Sequence, residues 1–110
     1  MKQYVIDELR ADDAKSVKAY LDDTFGPAAM GSVYWIQLPD NILSDIQKEH
    51  TACQPFFFAA DLGATRLSCE FLVRTQNAIR CHCVGYATPL QREWLMAQID
   101  AVFEKLDIIT

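Results

Sequence analysis

Residues 55–106 decide the fold: P-FFFAAD-LGA-TRLSCEFLVRT-QN-AIRCHCVGYA-TPLQREWLMAQIDAVFEKL. Three strand-like runs, 56–61, 65–75 and 79–87, are divided by Leu62-Gly63-Ala64 and by Gln76-Asn77. Short connections built from such turn residues predict that neighbouring strands pair antiparallel. In the second run Leu67, Cys69, Phe71 and Val73 alternate with Arg66, Ser68, Glu70, Leu72 and Arg74. The third sets Ile79, Cys81, Cys83 and Gly85 against Arg80, His82, Val84 and Tyr86. Period-two alternation means one buried sheet face and one at least partly solvated.

The run that follows changes period. Thr88, Pro89 and Gln91 occupy the N-cap, N1 and N3 positions of a capping box, with a proline whose fixed φ suits the first turn. Leu90, Trp94, Leu95, Ile99, Val102, Phe103 and Leu106 then recur at helical spacing, an apolar stripe broad enough to cover a sheet face.

Upstream, residues 3–9 read as a short, edge-type strand. Across residues 11–25, Ala14, Val17, Tyr20, Leu21 and Phe25 fall three and four apart on one helical face, and Gly26-Pro27 stops the helix. The β-branched and aromatic run at 33–38 predicts a strand that Pro39 ends. Ser44 and Gln47 form a second capping box, which predicts a short helix over 45–50. The order is β-α-β-short α-β-β-β-α. The expectation is one α+β domain over residues 1–110, a mostly antiparallel sheet with its helices packed on one face.

Composition narrows the function. Of 110 residues 51% are hydrophobic and 23% charged, as in a globular protein, and the formal net charge is −5. An acidic chain lacks the positive field that nucleic acid or an anionic membrane requires, so neither is an expected partner. No apolar run approaches the roughly 18 residues of a membrane span. Met1-Lys2 leads into polar sequence without the apolar core of a secretory signal, so the expected compartment is the cytoplasm and the four cysteines are expected to be reduced.

Two constellations could carry chemistry. His50, Cys53, Cys81 and Cys83 make a Cys3His set, a combination that binds structural zinc. Against it, Cys81 and Cys83 stand two apart on a strand, roughly 6–7 Å between Cα atoms, so convergence on one ion requires a bulge. As core residues the cysteines would simply be small and apolar. A dithiol redox reading is weaker, because C-x-x-C at a helix N-terminus is absent. The second constellation is the solvated sheet face, where Arg66, Arg74, Arg80 and His82 gather beside Ser68 and Glu70 to form a surface for an anion or an acidic partner. Leu72, Val84 and Tyr86 share that face, with Trp35 or Phe57 expected to join them, and half-apolar faces are how many homodimers meet.

Nothing marks an enzyme. The four glycines are too scattered for a phosphate loop, no G-x-S-x-G elbow presents a serine, and the paired aspartates read as solvated helix-end charge. The expectation is an interaction or regulatory domain, self-associating or bound to a protein partner. The alternatives are a small zinc protein and an enzyme whose site leaves no linear motif. Elemental analysis separates the first two. Near one equivalent of zinc, lost in Cys83→Ala, marks a metal centre; substoichiometric metal with a stability cost on the order of 1 kcal/mol marks core packing.

Overall fold

The computed structural model describes residues 2–29, 31–76 and 84–110. In chain order it contains β1 (Gln3–Ile6), α1 (Ala11–Phe25), β2 (Val33–Gln37), α2 (Asp45–Glu49), β3 (Phe56–Leu62), β4 (Leu67–Glu70), β5 (Leu72–Thr75), β6 (Gly85–Tyr86) and α3 (Pro89–Lys105). It is an α+β fold. Every strand pairing among the described residues is antiparallel.

Strand β3 is the axis of the sheet. One edge pairs with β2 over Val33–Gln37, and the other pairs first with β4 and then with β5. Beyond these, β1 pairs with β4 and β6 with β5. The expected single strand over 65–75 is therefore divided at Phe71. Ala60 faces Cys69 while Phe57 faces Arg74, so the β4–β5 side holds two more residues than β3. At the break Phe71 turns its backbone to the outer strands: its N–H donates to the Lys2 carbonyl at 3.0 Å, and its carbonyl accepts from the Ala87 N–H at 2.7 Å. This is a bulge. An insertion of two leaves side-chain alternation in phase, so Leu67, Cys69, Phe71 and Val73 are all buried as the pattern predicts.

Other boundaries shift for local reasons. The strand expected over 3–9 stops at Ile6, because Glu8 takes a left-handed conformation (φ 57°) that turns the chain toward α1. The helix expected over 45–50 ends at Glu49, with His50 as its C-cap. Of the third expected strand, residues 77–83 lie outside the described residues, and Gly85–Tyr86 is what is described.

The helices cover one face. Tyr34, Ile36, Phe56, Phe58 and Ala60 of the sheet are buried with Val17 and Leu21 of α1 and Leu95, Ile99 and Phe103 of α3. The Trp94 ring stacks on Phe58, with centroids 6.3 Å apart and planes at 21°. Leu90, expected in the α3 stripe, is instead 59% exposed. The buried stripe begins one residue later, at Gln91, about 100° further round the helix.

That glutamine joins two local motifs. Its Oε1 accepts from the Thr88 N–H at 3.1 Å, closing the α3 capping box. Its Nε2 donates to the Ile42 carbonyl at 2.9 Å and to Gln47 Oε1 at 2.8 Å. Gln47 Oε1 in turn accepts from the Ser44 N–H at 2.9 Å, closing the α2 capping box. Both amides are buried with their hydrogen bonds made, which is the condition for a tolerable polar group in a core.

Tyrosines fasten the helices to the strands. Tyr34 of β2 donates its hydroxyl to Asp22 of α1 at 2.6 Å, and Tyr4 of β1 donates to Asp100 of α3 at 2.5 Å. Lys18 holds the same Asp22 carboxylate at 2.8 Å. The bond to Asp100, reinforced by burial, pushes the Tyr4 phenol up from 10.0 to about 12.

Two outcomes follow from these contacts. Gln91→Leu strands the Ile42 carbonyl and the Thr88 N–H, and should lower unfolding free energy by about 2–3 kcal/mol in a denaturant titration. Because the folded-state pKa of Tyr4 is raised, its contribution is complete below pH 10 and is lost as pH rises through about 12. Tyr4→Phe should therefore lose less stability than the parent between those two values.

Candidate functional site: the open face of the sheet

Side chains that alternate away from the helices form a second surface. Register brings Trp35 beside Ala59, Val33 beside Asp61, Asp61 beside Ser68, and Gln3 beside Glu70. Ala59 and Ser68 are the small residues at its centre. Around them stand Trp35, Asp61, Arg66, Glu70 and Arg74, and the difference in side-chain length leaves a trough of about 380 Å³. Trp35 meets Phe57 edge to face, with centroids 5.9 Å apart and planes at 73°, so one flank of the face is a rigid aromatic pair.

The charges in the trough are two of each sign. Arg74 is bound by the Glu70 carboxylate, and that bond raises its pKa. Asp61 accepts from the Ser32 hydroxyl at 2.6 Å. Arg66 is exposed and has no ion-pair partner among the described residues. Chemically this is a shallow, part-apolar surface with a fixed ion pair, an oriented carboxylate and an available guanidinium. Its mixed composition is that of surfaces that meet another macromolecule, and its volume also falls within the range of small-molecule clefts.

Arg66 and Arg74 thus share one trough, whereas Arg80 and His82 lie outside the described residues. The zinc set is divided likewise. Cys81 and Cys83 lie outside the described residues; His50 caps α2, and Cys53 is buried in the one-turn helix Thr51–Cys53. The Cys53 carbonyl accepts a hydrogen bond from the Thr75 hydroxyl, tying that turn to the end of β5. No group of three His, Cys, Asp or Glu side chains among the described residues is placed to hold a metal ion. Cys69 lies in the core beneath the helices, where burial pushes its thiol up to about 12.

Sequence reasoning had Arg66, Ser68, Glu70 and Arg74 on one face, because they alternate within a single run. Gln3, Val33, Ala59 and Asp61 were missed. They come from three other strands, and only register tells which faces they share. Comparison with protein-family models, with curated proteins and with solved structures found no match to this chain.

The burial of Cys69 has a direct chemical consequence. A thiol-alkylating reagent at neutral pH should leave it unmodified in the folded protein and label it once denaturant is added, as read by peptide mass mapping.

Proposed function

We propose that this chain is a non-enzymatic interaction domain that docks a protein partner on the open face of its sheet. The observation that carries the reading is a half-apolar sheet face, with Trp35 and Phe57 paired on it, over which no helix lies among the described residues, the helices being packed on the opposite side. Layered domains bury both faces of a sheet or present the second one, and paired aromatic side chains on a presented face are what interface centres are built from.

The electrostatics agree. Tyr4, Asp22, Tyr34 and Arg74 owe their shifted pKa values wholly or in part to partners within the fold, and Cys69 to burial. The contacts Tyr4–Asp100 and Tyr34–Asp22 behind two of these shifts secure helices to strands. The reading places the domain in the cytoplasm. Its support is compositional, in that the acidic balance favours solubility; among the described residues no helix is long and apolar enough to cross a membrane.

Site-specific photocross-linking tests this. A benzophenone side chain at position 57 should give a discrete adduct in cells, and the same group at position 104, exposed on α3, should give none. Equal labelling from both positions, or none from position 57, removes the reading.

A further inference from the structure

Resting on that reading, we infer that the partner is a second copy of this chain, seated face to face about a two-fold axis with Arg66 of each copy against Asp61 of the other. Charge distribution is the first reason. The chain carries −5, yet the trough holds Asp61, Glu70, Arg66 and Arg74 and is balanced. Two acidic copies repel through their other surfaces and meet without net repulsion through this one.

Self-complementarity is the second reason. An isologous contact requires that a patch carry both members of each pair it forms. Asp61 stands directly across from Ser68, and Arg66, the residue that leads into β4, lines the same trough as Asp61. Among the described residues they do not form an ion pair: Asp61 is held by Ser32, and Arg66 is exposed. A two-fold axis in the plane of contact exchanges neighbours, so one rotation produces two identical Arg66–Asp61 pairs. The ion pair Glu70–Arg74 is already satisfied and can be covered without leaving an orphaned charge.

Size sets the strength. A face about four strands wide and five residues long has a footprint on the order of 300 Å² per copy, less than half that of a standard interface. The dimer should therefore belong to the weak, concentration-dependent class of contacts.

Sedimentation equilibrium across protein concentration tests the inference on the full chain. The parent should self-associate. Ala59→Arg, which fills the trough, should weaken association at least about tenfold, as should Arg66→Asp or Asp61→Arg alone, because each sets like charges together twice. The double variant Arg66→Asp with Asp61→Arg should recover to within about threefold of the parent. The charge exchange decides the matter if Ala59→Arg does not fold. A chain that stays monomeric, a dimer indifferent to Ala59→Arg, or a double variant no better than either single one each overturns the inference. A cross-link from position 57 to a different protein, with a monomeric chain, removes the second copy and leaves the docking face standing. No cross-link at all removes the docking face as well.

Discussion

The contact on which the rest depends is that of Phe58 with Trp94. Phe58 sits midway along β3 and is fully buried, with α3 laid over it. A strand has two faces, and committing one of them to a helix commits every strand in register with it. Tyr34 and Ile36 of β2 and Leu67, Cys69 and Val73 of the β4–β5 strand pair follow Phe58 into the core. Trp35, Phe57, Ala59, Asp61 and Arg74 are turned outward by the same rule. The candidate interface is thus the geometric complement of the core.

Polar contacts fix how the helices sit on that core. Hydrophobic burial is non-directional, so Phe58 and Trp94 alone leave the helix free to slide. The buried Gln47–Gln91 contact removes that freedom, because each amide is already held by its own capping box and the two meet in a single geometry. Tyr34 with Asp22 and Tyr4 with Asp100 do the same at the margins, one for each long helix.

The bulge at Phe71 serves the open face. By passing its hydrogen bonds to Lys2 and Ala87, the chain lets one run of sequence border two different strands, β1 on one side of the break and β6 on the other. Glu70 and Arg74 flank this point and bind each other across it. The sheet gains width there without any residue changing faces, because the excess is two residues rather than one.

Much of this was legible in the chain itself. Helix α1 over Ala11–Phe25, both capping boxes, and the sides taken by residues 66–74 depend on residues within a turn or two of one another, and local chemistry decides them. The sequence therefore determined the element types, the α+β class and which half of each strand is apolar. Tertiary structure alone decided that β3 lies at the centre, that the 65–75 run breaks at Phe71, that Gln91 rather than Leu90 begins the buried stripe of α3, and that Gln3, Val33, Ala59 and Asp61 share one trough with Arg66. Each of these is a matter of register or docking between segments tens of residues apart. Such pairings are chosen by the summed packing of the whole core, for which no short stretch of sequence carries a signal.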